Sequence, residues 1–221
     1  MVILRFFLSN TLNKKNMLET TWHTLLEQAQ SLHVSEIWAV ILTSVYVWLA
    51  ARGQAWCWVF GNIGCAFWAY ASFNLYDLWV DALLQVFYIV MGFWGLYRWL
   101  YGGQQADELP VTTLPFGQHL RLGLAGLVLT LLFGYFFDEY TPAAATYLDS
   151  FTTVFAVIAT WLVVQKKLES WLYWIVVDAL YVFIYARQGA LLFALLLFVW
   201  TVFAVFGYFR WREAWKQRKP V

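Results

Sequence analysis

Apolar runs long enough to cross a bilayer alternate with short polar breaks along most of this chain. A hydrocarbon core about 30 Å thick takes roughly 20 apolar residues in helical form, with about 17 sufficient. Windows of that size predict seven spans, at 36–51, 54–73, 76–100, 119–137, 145–164, 168–187 and 189–210. The breaks carry turn and charge chemistry: Arg52-Gly53-Gln54, Asn74 to Asp77, the stretch from Gly102 to Pro110, Asp138 to Pro142, Lys166-Lys167, and Arg187-Gln188-Gly189. Short polar turns between helices are what lipid demands, because backbone groups there must bond within their own segment. Ahead of the first span, apolar residues recur at Trp22, Leu25, Leu26, Ala29 and Leu32, the pattern of a surface amphipathic helix too polar to cross. The first sixteen residues place Lys14-Lys15 after a short apolar run, the reverse of a secretory signal, so no cleavage is expected, and Met17 offers an alternative start.

Composition sharpens this picture. Of 221 residues, 62% are hydrophobic and 12% charged, too few polar side chains to cover a water-facing surface. A net charge of +1 gives no basic patch for nucleic acid. Cys57 and Cys65 lie eight residues apart in one span, roughly 80° apart around a helix, and read as packing residues. The histidines His23, His33 and His119 are scattered, so neither a metal site nor a cofactor is expected. Partners are the bilayer and a small molecule, and a homo-oligomer stays open.

Lysine and arginine set the orientation. One side would carry Arg5, Lys14, Lys15 and Arg187; the other carries the remaining ten, including Arg52, Arg98, Lys166, Lys167 and the tail from Arg210. The C-terminus is therefore expected in the cytoplasm and the N-terminus outside. A repeat is also readable. Gly95-Leu96-Tyr97-Arg98-Trp99 and Gly207-Tyr208-Phe209-Arg210-Trp211 end spans three and seven at an offset of 112, while Trp48-Leu49 and Trp161-Leu162 close spans one and five at an offset of 113. The expected fold is an all-α membrane protein of seven transmembrane helices, two parallel three-helix repeats joined by a linker helix. Its parts would be residues 1–35 (N-terminal segment), 36–100 (first repeat), 101–140 (loop and linker), 141–211 (second repeat) and 212–221 (tail). Parallel repeats are a recurring transporter plan, with the substrate near mid-membrane between them.

Span six carries the chemistry. At 100° per residue, Trp171, Trp174, Asp178, Tyr181 and Tyr185 fall within roughly 80° of arc. Asp178 lies near mid-span, where a carboxylate costs about 2.5–3.5 kcal/mol on insertion scales, so it marks an interior site by default. Indoles beside a carboxylate suit an organic cation, with rings supplying cation–π attraction and the acid the counter-charge. The equivalent face of span two reads Trp58, Gly61, Cys65, Trp68 and Ser72; small residues there predict a cavity beside the indoles, with Asn62 in reach. Span three adds Gln85 and Tyr88 as hydrogen-bonding candidates on a face shared with Asp81 and Gly92. Thr43, Ser44, Thr152 and Thr153 are hydroxyls that either line a path or bond back into their own helices.

Trp171-x-x-Trp174-x-x-x-Asp178-x-x-Tyr181 resembles the WxxWxxxNxxY/F signature of the PnuC family of bacterial vitamin transporters. The segments Trp56 to Asn62 and Asp81 to Tyr88 are similar to that family too, and the likeness runs from about Glu36 to Trp211. It implies a SWEET-like three-plus-one-plus-three fold in the bacterial inner membrane and facilitated diffusion of nicotinamide riboside, trapped by cytosolic phosphorylation. Asp178 stands where the family has Asn. That departure points to the thiamine-carrying PnuT branch, so the expected substrate is thiamine, with nicotinamide riboside the alternative. An enzyme would need a nucleophile–base pair or metal cluster at depth, and neither is visible; no GxxxxGK[ST] run marks nucleotide hydrolysis. A non-transporting structural or sensory subunit is the remaining class.

Overall fold

Every predicted run is helical. The computed structural model describes residues 19–103, 107–140 and 146–217; the first 18 residues, with the alternative start at Met17, lie outside them. Residues 19–31 form α1, matching the amphipathic stretch. Then follow α2 (Val34–Ala51), α3 (Cys57–Asn74), α4 (Trp79–Tyr101), α5 (Phe116–Tyr140), α6 (Thr146–Val164), α7 (Ser170–Arg187) and α8 (Leu191–Lys216). Five of them, α2, α4, α5, α6 and α8, are long and apolar enough to cross a membrane. The 18-residue α3 and α7 are richer in small, aromatic and polar residues. Among the described residues, one isolated bridge between Thr112 and Lys167 is the sole pairing of extended chain.

Local chemistry sets the ends. α2 begins with a capping box: the Glu36 carboxylate accepts from the His33 backbone N–H at 2.8 Å, and the His33 ring accepts from Ser35 N–H. Among the described residues, four turn positions have positive φ, namely Gly53 (74°), Asp77 (57°), Lys166 (51°) and Gly189 (79°). They fall into two pairs, Gly53 with Lys166 and Asp77 with Gly189, at the same offsets of 113 and 112 that relate the sequence motifs. Glycine enters the left-handed region freely, whereas a lysine there is strained.

Six helices close a ring, each packed on the next in the order α2, α3, α4, α6, α7, α8 and back to α2. α5 packs chiefly on α6, through a strip of Gly126, Thr130 and Gly134 that admits Phe155, Ile158 and Tyr147 closely, and touches α7 where His119 stacks on Tyr173 and lies within 3.0 Å of its hydroxyl. Its other faces, like the outer faces of the ring, expose Leu, Val and Phe, as a lipid-facing surface requires.

One end of the ring carries Arg52, Arg98, Lys166, Lys167 and Arg210 and is sealed. Trp58, Trp99, Trp171 and Trp211 pack edge to face there, with centroid separations of 5.5 Å (Trp58–Trp99 and Trp99–Trp211) and 5.3 Å (Trp171–Trp211). The indole N–H of Trp99 donates to the Val163 carbonyl and that of Trp211 to the Ala50 carbonyl, both at 3.0 Å. These are equivalent bonds with the halves exchanged, and each ties α2–α4 to α6–α8. A loop straps across the same end: Leu109, Val111 and Leu114 are buried, and Thr112 exchanges backbone bonds with Lys166 and Leu168.

Candidate functional site

A cavity of about 590 Å³ lies inside the ring, within the roughly 300–1,000 Å³ usual for small-molecule sites. Trp171, Trp174, Asp178, Tyr181, Gln85, Tyr88, Trp58 and Asn62 all line it, as do Gly61, Cys65, Trp68, Ser72, Asp81, Thr43 and Tyr185. The helical arcs on α3, α4 and α7 therefore converge on one space.

The two indoles nearest the basic end form its floor. Trp58 and Trp171 are each 3% exposed. A Cβ added at Gly207 would lie 2.7 Å from the Trp171 ring, and one at Gly95 would strike Trp58, so a glycine on the next helix lets each indole lie flat against the backbone. Expected as a stacking wall, Trp171 is enclosed on this account and edge-packed on Trp211; the indole with surface left to offer is half-buried Trp174. Neither indole N–H of the floor pair has a partner among the described residues.

Above the floor the lining turns polar on one side. Asp178 is 5% exposed and faces the cavity, and none of the described hydrogen bonds or ion pairs reaches its carboxylate. Asp81 accepts from the Ser72 hydroxyl. Near the far rim, Glu36 accepts from the Tyr76 hydroxyl at 2.7 Å; this bond, more than burial, pushes the Tyr76 phenol up to about 12. Tyr76 and Leu78 are more than half exposed and mark the open end. Among the described residues the lining holds three acids, Glu36, Asp81 and Asp178, and no lysine, arginine or histidine. Such a chamber attracts cations and offers an anion no partner.

Not every expected hydroxyl takes part. Thr43 lines the cavity but bonds back to the Ala39 carbonyl at 2.6 Å, and Ser44, Thr152 and Thr153 are not part of the lining. Ser44 instead accepts from the Trp200 indole at 3.0 Å, joining α2 to α8. Sequence reasoning missed Tyr46, Trp200, Phe193 and Thr160, all lining residues. Tyr46 leans on Trp58 with centroids 5.5 Å apart. The lining residues of α8 are all apolar or aromatic, and on α2 Glu36 and Thr43 lie two turns apart among apolar and aromatic neighbours, so no continuous polar stripe marks either inner face.

Comparison with known proteins places the chain in a family of membrane transporters. A family model described as "Nicotinamide mononucleotide transporter" matches residues 33–213. The nicotinamide riboside transporter PnuC of Escherichia coli (strain K12) is 25% identical over 184 residues, covering 72% of this chain and 77% of that protein. The nicotinamide riboside transporter PnuC of Neisseria mucosa is 26% identical over 189 residues, covering 80% and 70%. A crystal structure of the vitamin B3 transporter PnuC superposes with a TM-score of 0.67 over 90% of this chain and 91% of that one, at 23% identity, a likeness of fold.

Proposed function

The chain belongs to the PnuC family of membrane transporters, and on that premise we propose that it carries nicotinamide riboside across the bilayer. The observation that carries this reading is the unpartnered Asp178 carboxylate beside Trp174, in a chamber with three acids and no base. The riboside brings a flat pyridinium cation, a carboxamide and a ribose. Trp174 would take the ring face, an attraction of about 0.5–2 kcal/mol depending on desolvation. Asp178 would supply the counter-charge. Asn62, Gln85, Tyr88 and Tyr181 offer donors and acceptors for the amide and hydroxyls.

The same chemistry separates related ligands. A phosphorylated nucleotide would bring anionic oxygens among carboxylates with no lysine or arginine to meet them, so the riboside fits better than the mononucleotide. Thiamine, the substrate first expected from Asp178, shares the cationic ring. The relatives named for nicotinamide riboside, together with the amide and phenol groups of Asn62, Gln85, Tyr88 and Tyr181 in the lining, favour the riboside instead.

The architecture that suits this role has seven crossings. α3 and α7, each 18 residues and so about 27 Å long, would span with the other five. Residues 36–100 and 141–211 would form parallel three-helix repeats, with 101–140 the loop and linker between them. Residues 1–35 would lie outside and 212–221 in the cytoplasm of a bacterial inner membrane. The exchanged indole bonds and paired turn residues support that symmetry. Transport is by facilitated diffusion, the repeats rocking about the chamber. In proteoliposomes holding the purified protein, labelled nicotinamide riboside should equilibrate faster than in empty vesicles, with thiamine and nicotinamide mononucleotide slower. Uptake of none of the three rejects a carrier role; faster thiamine uptake reverses the substrate assignment.

A further inference from the structure

The seal at the basic end is symmetric in its indole bonds but not in what else crosses it: the strap lies to one side, Arg98 donates to the Gln165 side-chain carbonyl at 3.0 Å, and Lys166 reaches across the halves. Trp99 and Trp211 reach exchanged carbonyls, as equivalent residues should. Lys166 has no such counterpart, because the equivalent position is Gly53. The Lys166 side chain, 5% exposed, crosses between the halves: its Nζ donates to the Gly53 carbonyl at 3.3 Å and sits 4.5 Å from the centroid of the Trp99 ring. Its backbone is held in the left-handed region at φ 51°, and its own carbonyl accepts from Thr112 of the strap. A lysine in an unfavourable backbone conformation, with its ammonium drawn in from water, is justified by what that ammonium joins.

We infer that Lys166 is the latch of the gate at this end, and that withdrawing its ammonium from the Gly53 carbonyl is the step that opens the chamber on the side bearing the C-terminus. The indole–carbonyl bonds break with it as the halves separate. The lysine lies on one half alone, so its withdrawal shifts the balance between the closed and open seal without a matching change on the other half. The gate presupposes the carrier reading but not its substrate.

The chamber contains its own reporter. Cys65 lines it, and Cys57 is the second of two cysteines. In a Cys57→Ala background, a membrane-impermeant cationic thiosulfonate is applied to each face of oriented proteoliposomes and the labelling rate of Cys65 is read. Labelling should be fast from the face bearing Tyr76 and slow from the face bearing Lys166. Lys166→Met should raise the slow rate by about tenfold or more, the shift expected when a charge-assisted hydrogen bond is lost from the closed state. Lys166→Arg should stay within about threefold of the parent by the same reasoning, and Lys166→Gly, which relieves the backbone, should behave as the Met variant does. An unchanged slow rate in Lys166→Met, with fast labelling from the other face retained, overturns the latch. Failure of both the Met and Gly variants to fold also overturns it, making Lys166 a structural residue. No vitamin enters this readout, so its failure is separate from failure of the substrate assignment.

Discussion

Trp58 and Trp171 sit at equivalent positions, and their surroundings match: each lies over a glycine of the next helix, each packs edge-on against a second indole, and each leaves its N–H unpartnered. One turn further along the same two helices, the match ends. α7 has Trp174 and Asp178 where α3 has Gly61 and Cys65. Where the halves agree, identical bulky groups meet about an axis and fill the space; where they differ, a large or charged side chain faces a small one and a chamber remains. On the proposed reading, sealing follows from the symmetry and recognition from its breaking. The latch at Lys166 obeys the same rule, since a side chain on one half alone can be withdrawn alone.

Substitutions can set these regions against each other. The largest effect is expected at the seal: Trp211→Ala removes an enclosed indole and its bond to Ala50, a loss of about 3–5 kcal/mol that should show as a marked fall in melting temperature in detergent. Riboside affinity of the fraction still folded should change far less. In the chamber the pattern inverts. Asp178→Asn should weaken nicotinamide riboside binding by about 2 kcal/mol, roughly thirtyfold, as measured by quenching of tryptophan fluorescence, with the melting temperature held or raised because a lone buried charge is gone. Trp174→Ala should weaken binding by about 1–2 kcal/mol, five- to thirtyfold, and Trp174→Phe by less, since a ring face remains. At the rim, Tyr76→Phe removes one hydrogen bond to Glu36, and a drop of about 1 kcal/mol in stability with near-normal affinity is expected from calorimetry. If Trp171→Phe reduced affinity as much as Trp174→Ala while sparing stability, the division between floor and wall would be wrong.

Much of the ring was legible because lipid imposes a simple code. Arg52-Gly53, Lys166-Lys167 and Arg187-Gln188-Gly189 interrupt apolar runs, and helix ends fall at those breaks within a few residues. The converging arcs on α3, α4 and α7 were readable because Asp178, Gln85 and Asn62 are costly in lipid and so must face inward. Tyr46 and Trp200 were not, because an aromatic residue on an apolar helix suits lipid and interior equally. Nor could sequence foretell the enclosure of Trp171, which depends on Gly207 arriving from another helix. The exchanged bonds to Val163 and Ala50 were hidden for a further reason: backbone carbonyls accept regardless of the side chain they carry.

Charge recognition by Asp178, as proposed, is tested by varying the charge of the ligand ring. Reduced nicotinamide riboside keeps the carboxamide and ribose but has a neutral ring. The protein should bind the oxidised form at least tenfold more tightly, a difference of about 1.4 kcal/mol or more, and Asp178→Asn should abolish most of that preference. Equal affinity for the two forms, or a preference unchanged in the Asn variant, would contradict it.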